Sequence, residues 1–180
     1  MLVRTICFFY LVYLAQVNCQ KGDYNFTSSC NDCEFWLKWN DNGNQTSFVF
    51  SVQLPTEIEM SGWAAFSFSK DLNMGNDDMH VCKSLGVNST VEHYFKGSDG
   101  AQAPTLIDST SPTFGLSNIN VKLNKQLLTC SFTRANKMMN DNYFPLPNKY
   151  HLLLSYGGIT NGLNNILIEF FFLSEYSYNF

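Results

Sequence analysis

From Ser47 to Leu54 the chain shows its cleanest alternation, with Phe48, Phe50, Val52 and Leu54 facing one way and mostly polar residues, Ser47, Ser51 and Gln53, the other, and Pro55 ends the run. A period of two is the signature of a strand with one buried face. Similar short runs recur at roughly ten-residue spacing. Phe35–Trp39 places Phe35, Leu37 and Trp39 on one side, ahead of a hairpin turn at Asp41-Asn42-Gly43-Asn44. Met79 to Leu85 and Thr90 to Lys96 flank a turn at Gly86–Ser89. Leu116 to Leu123 and Gln126 to Arg134 form a hairpin over Asn124-Lys125, with Leu128, Cys130 and Phe132 on one face. Tyr150 to Tyr156 stops at Gly157-Gly158, and Ile166 to Leu173 is a last apolar run before a Tyr-rich tail. Two long polar connections, 97–112 and 135–148, separate these runs. No segment keeps helical periodicity over three turns. The pattern predicts an all-β, immunoglobulin-like antiparallel β-sandwich of about nine to eleven strands.

One stretch departs from simple alternation. Residues 61–82, SGWAAFSFSKDLNMGNDDMHVC, open as a strand of small and aromatic residues suited to a pleated, mostly buried surface. They then break into a turn-rich segment, Lys70–Asp78, dense in Asn, Asp and Gly, which are expected to mark a shaped loop because they accept positive φ and bond their own backbone. Met74 stands alone as a thioether in that polar segment.

The first residues look like a processing signal rather than fold. Arg4 supplies a short positive region, Ile6 to Val17 an apolar run, and Val17 and Cys19 a cleavage position before Gln20. The division expected is a signal peptide at 1–19, an irregular N-terminal segment at 20–29, a sandwich at 30–173 and a tail at 174–180. A secreted, extracellular protein follows, with no transmembrane segment in the mature chain. A lipid-anchor signal at the end is not expected, because Glu169 and Glu175 interrupt the apolar tail it requires. The net charge of −4 and the absence of a basic stripe argue against nucleic acid and anionic membranes. Sixteen Phe, nine Tyr and three Trp against few charges indicate a packed domain rather than a disordered one.

Cys30, Cys33, Cys82 and Cys130 remain after the signal, an even number in an oxidising compartment, so two disulfides are expected, with all three pairings open. Sequons at Asn25, Asn44 and Asn88 are glycosylation candidates and predict surface positions.

No catalytic constellation is present: there is no GxSxG, HExxH or GxGxxG after a strand. Asp77 and Asp78 are adjacent on a strand, so they point to opposite faces and cannot act as a glycosidase pair. Counted as a calcium loop from Asp71, the glycine and glutamate positions fall on Asn76 and Cys82, so the EF-hand fails and the acids shape a turn. Met74 is either a filler of a core gap or a soft metal ligand. Three histidines could partner it. His80 leaves the loop on the next strand, His93 looks like a partly exposed strand residue, and His151 opens the apolar run Leu152–Leu154. Each is ordinarily a hydrogen-bonded structural residue.

The stretch GWAAFSFSKDLNMGNDD, with VEHYF, LLTCSFTR and KYHLLLSYGG further on, resembles the DOMON domain over about residues 30–165. The animal modules resembling ferric-chelate reductases are the nearest in flavour. The resemblance implies a β-sandwich binding haem b or, in some members, sugars. In haem-binding members the Met of the M-G motif is one axial ligand, which carries onto Met74. The second is a His beyond the strand that ends at Gly157 here. No His follows His151, and His151 itself could take that place if its strand faces the same pocket. Two functions follow as expectations. One is a secreted module binding haem b through Met74, without catalysis of its own and serving at most an extracellular redox partner. The other is a carbohydrate- or protein-binding module without metal or haem.

Overall fold

The computed structural model describes residues 21–27, 34–55, 61–99, 102–159 and 170–179, with side chains described for 35–55, 61–99 and 102–159. Among the described residues, eleven strands form two antiparallel sheets. In chain order they are β1 (Lys21–Thr27), β2 (Glu34–Asp41), β3 (Gln45–Gln53), β4 (Gly62–Ser69), β5 (Asp77–Ser84), β6 (Thr90–Lys96), β7 (Thr105–Leu106), β8 (Leu116–Asn124), β9 (Leu127–Ala135), β10 (Lys149–Gly158) and β11 (Phe170–Asn179). The first sheet runs β1-β2-β3-β9-β8 and the second β11-β10-β4-β5-β6-β7. The all-β sandwich expected from the alternation is therefore the fold. No helix among the described residues is long and apolar enough to cross a membrane.

Three expectations are corrected. The irregular segment expected at 20–29 contains β1, paired to β2 with Phe26 opposite Phe35; the spacing of Tyr24 and Phe26 among polar neighbours was a strand signal masked by polarity. The tail at 174–180 is mostly strand, since β11 pairs with β10 up to Asn179 opposite Lys149; alternating Tyr and Ser carry it. The 97–112 connection holds the two-residue β7 on the edge of the second sheet. Residues 166–169, the start of the last predicted strand, lie outside the described residues, as do Cys30 and Cys33.

Between the sheets lies an aromatic core. Phe66 on β4 meets Phe48 and Phe50 on β3, each at 5.4 Å between ring centroids, and Phe132 on β9 at 6.0 Å. Burying each such ring is worth about 1.5–3 kcal/mol. Cys82 on β5 bonds Cys130 on β9 and so staples one sheet to the other, which selects a partner for two of the four cysteines. The bridge spans 48 residues of sequence, a loop whose closure removes about 4 kcal/mol of chain entropy from the unfolded state. Asn44 and Asn88, two of the sequons, are exposed in turns; the Asn25 side chain lies outside the description.

The two sheets differ in their outward faces. On the first, hydroxyls pair across strands in a half-wet layer, Ser47 with Thr133 at 3.3 Å and Ser51 with Thr129 at 3.0 Å. On the second, every residue of β4 and β5 is buried on both faces. The small and aromatic composition of residues 62–68 fits this double burial.

Gly115, before β8, has φ +74°, and a Cβ there would stand 2.6 Å from the Tyr143 ring. Gly115→Ala is thus expected to cost about 2 kcal/mol, from left-handed strain and overpacking together. Urea unfolding of the two proteins checks it, and a loss under about 0.5 kcal/mol would refute the packing argument.

Candidate functional site

The second sheet carries two groups of polar side chains, one on each face. On the inner face, strand alternation aims Asp78 and His80 of β5 and His93 of β6 at the first sheet, where Arg134 of β9 reaches them. Arg134 is fully buried. Its Nη2 donates to Asp78 Oδ2 at 2.6 Å and to the Phe144 carbonyl at 2.6 Å, and its Nε donates to His80 Nε2 at 3.1 Å. His93 Nε2 lies 2.5 Å from Asp78 Oδ1, its Nδ1 2.9 Å from the Phe114 carbonyl, and the Phe144 N–H donates to Asp78 Oδ2 at 2.7 Å. His93, expected to be partly exposed, is instead buried; its neighbours Glu92 and Tyr94 face outward while it faces the core.

Asp78, His80 and His93 bring ligand atoms within 4.8 Å of one another, the one such metal-capable group among the described residues. Arg134 already occupies it, giving its donors to both Asp78 and His80, so the set is a charge cluster that ties β5, β6 and β9 to the 136–148 loop. The sequence reading considered Asp78, His80 and His93 separately and missed Arg134 and the grouping, although one signal was present: the alternation Leu128, Cys130, Phe132 continues inward to Arg134.

The cluster has an acid side. Burial would raise the Asp78 carboxyl, but His93 and then Arg134 hold it well below the usual carboxylate range. Burial, then the neighbouring His93, pushes the His80 imidazole well below its ordinary value. Both folded values are depressed, so the unfolded chain binds more protons and stability is lost as pH falls. The loss through His80 begins below about pH 6.5, at up to about 1.4 kcal/mol per pH unit, and Asp78 joins below about pH 4. Urea unfolding at pH 7.5 and 5.5 is expected to show this slope, and His80→Gln, which keeps an acceptor for Arg134, to flatten it. An unchanged slope in that variant would exclude His80.

The outer face is ordered in cross-strand rows by the register of β10, β4, β5 and β6. At one end His151 pairs with Ser69 and Asp77 with Lys96; complete rows follow, Leu153, Ser67, Met79 and Tyr94, then Ser155, Ala65, Val81 and Glu92, then Gly157, Trp63, Lys83 and Thr90. Its β4–β10 strip mixes the small residues Ser69, Ser67, Ala65, Ser155 and Gly157 with His151, Leu153 and Trp63. Asp77 and Asp78 do point to opposite faces of the sheet. Three buried polar atoms without a hydrogen-bond partner belong to this face, His151 Nδ1, Asp77 Oδ1 and Trp63 Nε1. Such orphans are uncommon in a native fold and ask for a reason. Burial pushes the Asp77 carboxyl up, against the Ser69 hydroxyl and the Gly75 N–H, which favour its ionised form. At the other end Lys83 Nζ meets Glu92 Oε2 at 2.5 Å and donates to the Tyr94 hydroxyl at 2.7 Å, closing a surface trio.

Met74 sits at the rim of this face. Its loop, 70–76, follows Ser69, the residue paired with His151, so Met74 and His151 lie at the same end of the second sheet. Met74 is half-buried and belongs to neither hydrophobic cluster, so it does not fill the core gap that was its ordinary alternative. The acids of the supposed calcium loop act on the backbone: Asp71 Oδ1 accepts the Asn73 N–H at 2.7 Å and Asp77 Oδ2 the Gly75 N–H at 2.7 Å.

Comparison with known proteins places these features in a family. A protein of Danio rerio named for ferric-chelate reductase 1 is 29% identical over 117 residues, 62% of this chain; the chain spans 19% of that relative's length. The cytochrome domain of Myriococcum thermophilum cellobiose dehydrogenase shares the fold with a TM-score of 0.50 at 7% identity, over 80% of this chain and 72% of that one. The family model for the DOMON domain matches residues 31–157, from before β2 through β10. The chain belongs to the DOMON domain family.

Proposed function

We propose that this chain is a secreted redox module that holds haem b at the outer face of the second sheet, with Met74 and His151 as the two iron ligands. The observation that carries it is the buried, unpartnered His151 Nδ1, on the strand residue paired with the one that leads into the Met74 loop. A soft sulfur and an imidazole nitrogen are a known axial pair for haem. The names of two relatives, a cytochrome domain and a ferric-chelate reductase, support a redox role. The bound iron would supply one-electron chemistry; the chain's residues would hold it, and an external donor or acceptor would exchange the electron.

The non-metal reading, a sugar- or protein-binding face lined by aromatics, has less support. The exposed large apolar side chains among the described residues are Leu72, Val87, Leu127 and Met139, none of them aromatic. Ring stacking has little to start from.

Expression of the whole coding chain in a secretory host, then titration of the secreted protein with haemin, tests the proposal. A stoichiometric Soret band is expected. Its absence would remove haem from the account.

A further inference from the structure

Two flanking amides hold Met74 in its loop. On one side the Asn73 N–H is taken by Asp71, whose own N–H donates to Ser69 Oγ at 3.3 Å. On the other the Gly75 N–H is taken by Asp77. Asp71 is exposed, but Asp77 is fully buried and starts β5, so it anchors the loop to the sheet rather than to itself. Gly75 is doubly constrained. It has φ +134°, and a Cβ there would meet the carbonyl oxygens of Ser98 at 3.1 Å and Gly97 at 3.2 Å. That neighbouring segment is in turn fixed: buried Lys96, the cross-strand partner of Asp77, donates through Nζ to the carbonyls of Asp99, at 3.0 Å, and Gln102. The sheet thus holds the Met74 loop by a bond from Asp77 below and by backbone packing against 97–98 beside it.

We infer that Asp77 is a positioning residue for the Met74 sulfur, acting through the Gly75 amide, with Gly75 as the contact that seats the loop on residues 97–98. The inference rests on the haem reading above and adds to it which residue fixes the ligand. A thioether is a weak, neutral donor, so its hold on a metal depends on being kept in place. Partners that orient a ligand in this way commonly contribute 10–100-fold to affinity. Asp71 is exposed and its carboxylate bonds within the loop, so it contributes less.

The test uses the secreted full chain loaded with haemin and reads two signals: the Soret band, which reports haem, and the sulfur-to-iron charge-transfer band, which reports Met ligation. Asp77→Ala is expected to keep the Soret band while losing the sulfur band, and to bind added imidazole at the vacated position about 10–100-fold more tightly. Asp77→Asn is expected to restore the sulfur band, because an amide oxygen still accepts the Gly75 N–H. A role confined to stability would change melting temperature and leave the sulfur band of the folded fraction intact. Gly75→Ala attacks the same contact from the other side and decides the question if Asp77→Ala does not fold. Either variant folded with an unchanged sulfur band overturns the inference, as does an Asn variant that fails to restore it. A wild-type Soret band without the sulfur band, or no Soret band at all, overturns the Met74 reading and this one together.

Discussion

Arg134→Met is expected to lower the unfolding free energy by about 3–5 kcal/mol, the cost of leaving a buried charge without its partner. The side chain it removes is fully buried and holds Asp78, His80 and the Phe144 carbonyl at once. Without it the Asp78 carboxylate keeps His93 and the Phe144 N–H but no fixed cation, and His80 Nε2 faces a methionine. The guanidinium also lies 4.0 Å over the Tyr143 ring, so the 136–148 loop loses its seat. Guanidinium denaturation of the two proteins measures the loss. The double variant Asp78→Asn, Arg134→Met is expected to recover part of it, because deleting both partners is far cheaper than orphaning one. A single-variant loss below about 1 kcal/mol would mean that the cluster is solvated and the argument fails.

Met74→Ala and His151→Ala are expected to weaken haemin binding by more than about 100-fold each, since residues that only orient a ligand already contribute 10–100-fold. The two variants should fail differently. Met74→Ala removes the sulfur band and leaves His151 to hold the iron from one side. His151→Gly opens a space that added imidazole can fill, and recovery of the Soret band by imidazole would assign the nitrogen ligand to that position. Wild-type affinity in His151→Ala would place the nitrogen ligand elsewhere in the chain. Wild-type affinity in Met74→Ala would end the case for the loop as a haem site.

Much of the fold was legible because sheet burial writes itself into the chain at a period of two. Phe48, Phe50, Val52 and Leu54 announced β3, and the run of small and aromatic residues announced β4 as a mostly buried strand; that both its faces are covered came from the structure. Polar edge strands were not legible: in β1 and the end of β11 the apolar signal is only Tyr24 and Phe26, or Tyr176 and Tyr178. The loop with Met74 stood out because a thioether among Asn, Asp and Gly has no local reason. What sequence withheld was everything set by pairing at a distance. Arg134 and Asp78 are 56 residues apart, and Cys82 and Cys130 are 48 apart. Nothing local to His93 distinguishes the inward side of β6 from the outward one until its neighbours Glu92 and Tyr94 are seen with Lys83.

The staple and the charge cluster fall on the same two strands. Cys82 lies four residues beyond Asp78 on β5, and Cys130 lies four residues before Arg134 on β9. The covalent bond is therefore a pivot and the ion pair a latch, set about 13 Å along strands that rise about 3.3 Å per residue. Tethered this way, Arg134 meets Asp78 at the millimolar or higher effective concentration of a short linkage, so a broken latch recloses without the chain having to unfold. The latched end is the one that carries Met74 and His151. Acid, which weakens Asp78 and His80 there, loosens that end of the sandwich while the disulfide still ties the two sheets together.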